Sequence, residues 1–211
     1  MIGLGHGAPK TLTDWKDIDY LLYCDNPETT GTPDIPIDGG HIKGVGAYTA
    51  YDVFSIVLLP DGSIGWYKNT TLLHKATPSS LSFPLYVEAS VLKAGTSGPA
   101  FMDVRWLSIS DVQSLTSIDS LQAYPLVNFA GADSGLTTSP GVLSKTSGSD
   151  SWDSKAWTSL AIESRSSPRR GVAFRCSKTG HQMIGLGHGA PKTLTLLRTI
   201  FETNFVEGSD G

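Results

Sequence analysis

Residues 51–74 read YDVFSIVLLPDGSIGWYKNTTLLH, and this stretch decides the class of fold. Its first nine residues are rich in Val, Ile and Phe, which favour β-strands. Pro60-Asp61-Gly62 then indicates a turn, because proline fixes φ near the required value and glycine tolerates a positive φ. Segments 63–69 and 71–76 follow, with a second turn at Asn69-Thr70 between them. The stretch therefore predicts three strands in close succession, joined by tight turns.

The segments around this stretch continue the same pattern. Segment 85–92, LYVEASVL, has its apolar residues at alternate positions, which places them on one face of a strand. In segment 100–109, AFMDVRWLSI, the alternation predicts one face composed of Phe101, Asp103, Arg105 and Leu107. Strand patterns recur at intervals of roughly 8–12 residues, which is typical of a β-sandwich or barrel. We therefore expect an all-β fold of two antiparallel sheets, with one short helix after residue 108.

The composition argues against several classes of partner. The chain has 211 residues, 17% of them charged, and a formal net charge of −4, which gives no general attraction to nucleic acid or to an anionic membrane. Basic clusters such as Arg169-Arg170 are short. No apolar run approaches the ~20 residues of a membrane helix, and Met1 does not open a secretory signal. We expect neither nucleic acid nor membrane as a partner.

The residue types that commonly bind metals or cofactors form no recognisable motif in this sequence. The two cysteines, Cys24 and Cys176, are too few for a zinc knuckle, and the five histidines form no metal-binding motif. We predict no metal and no cofactor. Cys24 and Cys176 either form a disulfide or remain as two thiols, and the sequence leaves both alternatives open.

Residues Met1–Thr13, MIGLGHGAPKTLT, recur unchanged at Met183–Thr195. Gly3, Gly5 and Ala8 match the spacing of a dinucleotide-binding loop. However, no strand precedes Gly3, and Pro9 interrupts the helix that should follow. We interpret both copies as a buried β-strand with its exit turn.

Catalytic motifs are missing from the chain. It has no GxSxG sequence for a serine nucleophile. Glycosidases with a β-sandwich fold need paired acids on one strand face, and here Asp17-x-Asp19 has no third acid after it. We therefore predict no catalytic residue and no enzyme.

Aromatic residues are the candidate ligand-binding residues. Aromatic faces pack against the C–H faces of sugars. The candidates lie around two adjacent strands of the opening stretch and near the first strand of the chain: Trp66, Tyr67, Tyr48, Tyr51 and Trp15. The alternative is that these rings fill the core. Asn69-Thr70-Thr71 is also an N-glycosylation sequon, which makes Asn69 a candidate glycosylation site.

Several segments together resemble a known module. They are GVAFRC…HQMIGLGHG, DIDYLLYC, GVGAYTAYDVFSIVLLPDGSIGWYKNTTLLH and PLYVEASVLKAG. They resemble the β-jelly-roll modules of the concanavalin A-like lectin/glucanase type, which include laminin-G-like domains. The resemblance covers about residues 1–107 and 152–195. It implies a jelly-roll sandwich with a binding or adhesive role, and it carries no ligand residue onto this chain.

The order of these segments differs from that of the resembled modules, in which the segments similar to 152–195 precede the segment similar to DIDYLLYC. This order suggests a circularly permuted module, or one cut from a tandem array. We expect residues 1–107 to form the main body, 108–151 a Ser/Gly/Thr-rich connection, 152–195 the completing strands and 196–211 a tail. Met1 would then begin within a module, and both copies of the 13-mer would compete for one strand position.

The resemblance and the missing motifs lead to one main functional expectation. We expect a non-catalytic, extracellular carbohydrate-binding or adhesion module with a glycan as a possible partner. One alternative is a structural repeat module of a matrix or coat that self-associates through 1–13 and 183–195. A third is a polysaccharide-active hydrolase or lyase.

Overall fold

The computed structural model describes residues 18–24, 35–37, 40–42, 48–92, 100–108, 110–111, 118–147, 154–176 and 182–188. Strands make up more than half of the described chain, and its single helix has four residues. In order, its elements are β1 (Tyr20–Cys24), β2 (Ile35–Ile37), β3 (Gly40–Ile42), β4 (Phe54–Leu58), β5 (Ile64–Lys68), β6 (Thr71–Ala76), β7 (Leu85–Val91), β8 (Phe101–Leu107), α1 (Ile118–Leu121), β9 (Phe129–Ala132), β10 (Leu136–Ser139), β11 (Val142–Lys145), β12 (Lys155–Ile162), β13 (Gly171–Cys176) and β14 (Gln182–His188).

The strands form two antiparallel sheets that pack face to face. The five-stranded sheet has the order β1-β14-β7-β12-β9, and the seven-stranded sheet has the order β10-β11-β8-β13-β4-β5-β6. Strands β2 and β3 form a separate hairpin. The predicted all-β sandwich with one short helix is confirmed, and the arrangement is consistent with a jelly roll.

The opening stretch folds as the sequence predicts. Strands β4, β5 and β6 are neighbours in the seven-stranded sheet, with Ile56 opposite Trp66. Gly62 closes the first turn with a φ of 84°, and its N–H donates to the Leu59 carbonyl at 3.0 Å. Asn69 enters the second turn with a φ of 54°, in the left-handed region that asparagine tolerates better than most residues.

The core lies between the two sheets. The four apolar residues that alternate along β7 are all buried in it, as predicted: Leu85, Val87, Ala89 and Val91. Cys24 on β1 and Cys176 on β13 form a disulfide, with their Cα atoms 6.5 Å apart. Because β1 and β13 belong to different sheets, this bond joins the two layers of the sandwich across 152 residues of chain.

Strand β8 departs from the predicted alternation. Asp103 has a φ of 51°, and the register between β13 and β8 shifts at this point. The extra residue forms a β-bulge, which reverses the facing of the residues after it. Phe101 therefore faces the core together with Val104, while Leu107 packs in a second cluster on the outer side of the seven-stranded sheet. The predicted shared face of Phe101 and Leu107 is wrong because a regular alternation cannot anticipate a bulge.

Segment 108–151, which the sequence predicts to be a Ser/Gly/Thr-rich connection, contains strands and the helix. It contains β9, β10 and β11, which extend both sheets, as well as α1. Its glycines serve turns within this structure, since Gly135 and Gly141 have φ values of 91° and 68°. The strands of 152–195 fill positions inside both sheets. Residues 1–17, with the first copy of the 13-mer, and the tail 196–211 lie outside the described residues.

Candidate functional site

Two of the predicted sugar-binding aromatics lie in the core. Trp66 is fully buried, and its Nε1 donates to the carbonyl of Leu21 at 2.9 Å. Tyr48 is also buried and packs edge-on against Phe54, with ring centroids 5.5 Å apart. These two rings follow the core-filling alternative, because neither offers a face to a ligand.

The remaining predicted aromatics do not form a common surface. Tyr67 is half-buried on the outer side of the seven-stranded sheet, beside Val53 and Val57, and burial raises the pKa of its hydroxyl. Tyr51 is 76% exposed. Trp15 lies outside the described residues. The structure therefore does not gather the predicted aromatic residues into one binding face.

The Asn69 side chain is part of the turn that carries it. Its Oδ1 accepts from the Val53 N–H, and its Nδ2 donates to Asp52, both at 3.0 Å. Both ends of the amide are thus used within the fold. Glycosylation at Asn69 stays a prediction.

The candidate site is a cleft at one end of the seven-stranded sheet. It is formed beside the adjacent ends of β4, β8 and β13, where three chain segments meet. Its volume is about 520 Å³, and it opens broadly to solvent. The residues that line it are two prolines, three serines and two arginines: Pro60, Pro168, Ser108, Ser110, Ser167, Arg165 and Arg170. We call it the arginine–serine cleft.

Arg170 is held firmly at this cleft by its backbone. Its N–H donates to the Leu107 carbonyl at 2.6 Å, and its own carbonyl accepts from the Leu58 N–H at 2.7 Å. The residue therefore extends β13 by one position between β4 and β8. The side chain is 8% exposed, and its Nε donates to the Leu58 carbonyl at 3.1 Å. Its two terminal nitrogens form no hydrogen bond to the described part of the chain.

Arg165 approaches the cleft from the loop between β12 and β13. Its guanidinium packs over Gly62, where a Cβ atom would lie 2.9 Å from its Cζ. Within the described ranges, neither Arg165 nor Arg170 forms an ion pair. The cleft therefore presents two guanidinium groups whose charge no described carboxylate balances.

The acidic groups nearest the cleft have other partners. Asp61, in the β4–β5 turn, binds Lys75 at 2.7 Å and also accepts from Ser63. These hydrogen bonds, from Lys75 first and then from Ser63, hold the pKa of the Asp61 carboxyl well below its usual value. Asp111 accepts from the backbone N–H of Ser108. Neither carboxylate is paired with the arginines of the cleft.

A second arginine group lies on the outer side of the same sheet and is paired. Arg175 donates from Nε to Asp103 at 2.9 Å and also binds it through Nη2. Arg105 lies 3.8 Å from the other oxygen of Asp103 and donates to the carbonyls of Gln122 and Tyr124. We call Asp103, Arg105 and Arg175 the outer-face cluster.

One histidine from the duplicated sequence also has an acidic neighbour. The Nδ1 and the backbone N–H of His188 each lie 2.7 Å from Oδ2 of Asp19, which is almost completely buried. The contact ties the end of β14 to the chain just before β1. We assign it a structural role, because it fixes the edge of the five-stranded sheet.

Sequence reasoning missed the cleft, although part of its signal was visible. Segment 163–170, ESRSSPRR, places arginines and serines within a few residues. The cleft is also lined by Ser108 and Ser110, which lie more than 50 positions earlier in the chain. Only the pairing of β8 with β13 brings these two segments together. A local search for basic runs therefore sees Arg169-Arg170 alone.

Comparisons with protein-family models, with curated proteins and with solved structures found no significant match. The described residues contain no helix with the length and apolar character needed to cross a membrane. The same residues hold no group of three or more His, Cys, Asp or Glu side chains placed to bind a metal ion.

Proposed function

We propose that this protein is a non-catalytic binding module of the lectin or adhesion class that works outside the cell. The arginine–serine cleft is the observation that carries the proposal. It combines a broadly open shape with a mostly apolar lining that also carries hydroxyl and guanidinium groups, at the loop end of the sandwich. Loops on a rigid scaffold are the usual place for binding residues.

The chemistry of the cleft suits a saccharide. Sugars present many hydroxyl groups, which need directional donors and acceptors. Serine hydroxyls both donate and accept, and an arginine offers several donors in a fixed plane. Pro60 and Pro168 add apolar surface on which the C–H groups of a sugar can pack. The described lining includes no carboxylate or imidazole, the groups that most often act as general acid or base. This composition favours binding over catalysis.

The resemblance to concanavalin A-like and laminin-G-like modules supports the same proposal. The two-sheet antiparallel sandwich is the fold that the resemblance implies. The finer assignment to that superfamily remains part of the proposal. It rests on the order and spacing of the strand segments rather than on any ligand-binding motif.

A glycan array with wild-type protein and two arginine variants tests the proposal. We expect specific, saturable binding that is lost in Arg165→Gln and kept in Arg169→Gln. Arg169 is the matched control, since it carries the same charge but lies over the Trp106 ring, 5.6 Å from the centroid, and does not line the cleft. Binding to no glycan would contradict the proposal, and turnover of a polysaccharide would favour the hydrolase or lyase alternative.

The disulfide supports an extracellular setting. Bonds of this kind persist in oxidising compartments and are rare in the cytosol. Cys24–Cys176 closes a loop of 152 residues, for which chain-entropy arguments give a stabilisation of about 2–5 kcal/mol. Denaturant unfolding with and without reductant measures this contribution. If reduction left the unfolding free energy unchanged, the disulfide would no longer support this localisation.

Self-association is a second candidate function, and one structural observation favours it. Strand β14 lies between β1 and β7, and its residues Met183–His188 are identical to Met1–His6. The first copy therefore has the same residues with which β14, from Met183 onward, pairs with β1 and β7. In this second candidate, the described five-stranded sheet offers one such position to the two copies, and the other copy pairs with another molecule. Exchange of identical elements between chains is a known route to oligomers.

Mass in solution tests this second candidate. Ile184 and Leu186 are fully buried in β14, so Ile2→Glu with Leu4→Glu should stop the first copy from entering that position. We expect this variant, and a chain without residues 1–13, to have a smaller mass than the wild type. An unchanged oligomeric state in both would exclude self-association through the first copy.

A further inference from the structure

We propose that the arginine–serine cleft binds a tetrahedral oxyanion, a sulfate or phosphate group carried by a saccharide. This inference rests on the proposed function and names the chemical class of its ligand. It arises from the balance of charge and hydrogen bonds at the cleft.

Arg170 carries the first step of the argument. Arg170 is 8% exposed as a whole residue, and its terminal nitrogens are not among the fully buried side-chain atoms without a partner. They are therefore accessible from the cleft, where an anion can replace the water around them. Within the described chain its side chain has one acceptor, the Leu58 carbonyl. The four N–H groups on its terminal nitrogens remain without a protein acceptor there. An anion seated against them would supply the missing charge and acceptors.

The second step is the convergence of donors from separate elements. Arg165 and Ser167 come from the loop before β13, whereas Ser108 and Ser110 follow β8. Ser108 and Ser110 lie with their hydroxyl oxygens 2.9 Å apart, so one hydroxyl donates to the other and the pair leaves one O–H donor for a ligand on this side of the cleft. The cleft therefore offers donors from more than one direction around a common space.

The third step distinguishes a tetrahedral anion from a carboxylate. A carboxylate has two oxygens in one plane, and a single guanidinium fork can satisfy both of them. A sulfate or phosphate ester has three free oxygens that point in different directions. Two guanidinium groups and several hydroxyls match the larger number of acceptors, and the hydroxyls can supply the contacts that lie outside either guanidinium plane.

Among the described residues, no carboxylate lines the cleft. Asp61 is paired with Lys75, and Asp111 is bound to the Ser108 N–H. Glu163 lies two residues before Arg165, but it is exposed and is not among the described residues that line the cleft.

A titration with five probes tests the inference: galactose, galactose 6-sulfate, galactose 6-phosphate, galacturonic acid and inorganic sulfate. Isothermal titration at fixed ionic strength gives the affinity for each, with wild type, Arg165→Gln, Ser110→Ala and the control Arg169→Gln. We expect the sulfate or phosphate ester to bind more tightly than galactose and galacturonic acid. Loss of a charge-assisted hydrogen bond should weaken ester binding by about tenfold or more in Arg165→Gln.

The control separates a local site from general attraction between charges. Arg169→Gln removes the same charge next to Arg170 but leaves the cleft lining intact, so we expect a change of about twofold or less, from long-range electrostatics alone. Equal losses in Arg165→Gln and Arg169→Gln would overturn the inference. Comparison of the two ester probes identifies whether sulfate or phosphate is preferred.

The other outcomes separate this inference from the proposed function. Galactose or galacturonic acid binding as tightly as the esters would overturn the anion inference and leave saccharide binding in place. Inorganic sulfate binding through Arg165 as tightly as the esters, with no contribution from the sugar, would support the anion site and contradict the proposed function. Failure of all five probes would overturn both.

Discussion

The seven-stranded sheet carries two groups of arginines that differ in one respect. In the outer-face cluster, Arg105 and Arg175 have Asp103 between them. At the arginine–serine cleft, Arg165 and Arg170 have no carboxylate partner in the described chain. We expect the paired cluster to stabilise the fold, whereas the unpaired arginines have donors that are available to a ligand. This difference locates the candidate site more sharply than the total of basic residues does.

The backbone explains why only one group is paired. The β-bulge places Asp103 at a positive φ beside Arg175, a conformation that aspartate tolerates better than most side chains. Arg175 also donates to the Ala50 carbonyl at 3.4 Å, which connects the cluster to the chain before β4. None of the described residues that line the cleft is acidic, and Asp61 beside it is bound to Lys75.

Asp103→Asn should have the largest effect, because it removes the negative charge from the outer-face cluster. Asparagine keeps the shape of the side chain and tolerates the positive φ, so charge is the main change. Two partly buried guanidiniums would lose their anionic partner, and we expect the unfolding free energy to fall by about 1–3 kcal/mol. Denaturant unfolding at neutral pH measures the loss.

Asp103→Ala provides a comparison for this variant. It removes the carboxylate and also places a residue without a local polar contact at a φ of 51°. We expect an additional loss of about 1 kcal/mol relative to asparagine. A fully stable Asp103→Asn protein would show that the pairing does not stabilise the fold and would remove the basis of the contrast between the two groups.

Gly62→Ala should have a smaller effect, and it acts on the cleft. Gly62 has a φ of 84°, which an L-residue rarely adopts, and the new Cβ would lie 2.9 Å from the Cζ of Arg165. We expect a loss of about 1 kcal/mol from backbone strain and weaker binding of galactose 6-sulfate, because the Arg165 guanidinium must move. Unfolding and titration on the same preparation measure the two effects. Unchanged ester affinity would mean that packing over Gly62 does not position Arg165 for the ligand.

Arg165→Glu should have almost no effect on stability, but it should give the cleft a carboxylate and so remove its difference from the outer-face cluster. It introduces a carboxylate at an exposed position near Arg170, where exposed substitutions usually change stability by less than about 0.5 kcal/mol. The new carboxylate would compete with an anionic ligand for Arg170, so ester binding should be lost. Retained ester binding with unchanged affinity would place the anion elsewhere on the molecule.

The sequence predicts most of the fold because alternation and turn chemistry are local signals. The strands around Pro60-Asp61-Gly62 and the buried face of β7 follow directly from residue spacing. Residue spacing does not predict the bulge at Asp103, because the extra residue is defined by the pairing of β8 with β13. The strands within 108–151 escape prediction for a related reason. These strands are rich in Ser and Thr and contain fewer apolar residues than the other strands, and they are hydrogen-bonded to neighbouring strands of the sheets.

The candidate site is harder to predict than the fold because it depends on exposure and charge pairing. Trp66 and Tyr48 match a sugar-binding composition, but the sheet buries both of them. Arg169 and Arg170 are neighbours in sequence, yet one lies over Trp106 and the other lines the cleft. Neither burial nor the presence of a carboxylate partner can be inferred from residue type alone. Both require the three-dimensional register of the strands.

Acid should produce the smallest effect, through Asp52, a carboxylate that belongs to neither arginine group. Burial works to raise the pKa of Asp52, but hydrogen bonds from Thr49 and Asn69, together with Lys68, outweigh it, so the pKa lies below its usual value of 3.8. Because the folded pKa is lower than the unfolded one, this carboxylate stabilises the fold above about pH 3.8. The contribution is lost as the pH falls through the folded pKa.

We expect the difference in unfolding free energy between wild type and Asp52→Asn to shrink over this range, by less than about 1 kcal/mol. Binding of galactose 6-sulfate at the cleft should stay constant over the same range while the protein remains folded, since the sulfate ester stays ionised at these pH values. A parallel loss of ester binding would mean that a titrating carboxylate contributes to the cleft, and the contrast between a paired and an unpaired arginine group would then fail.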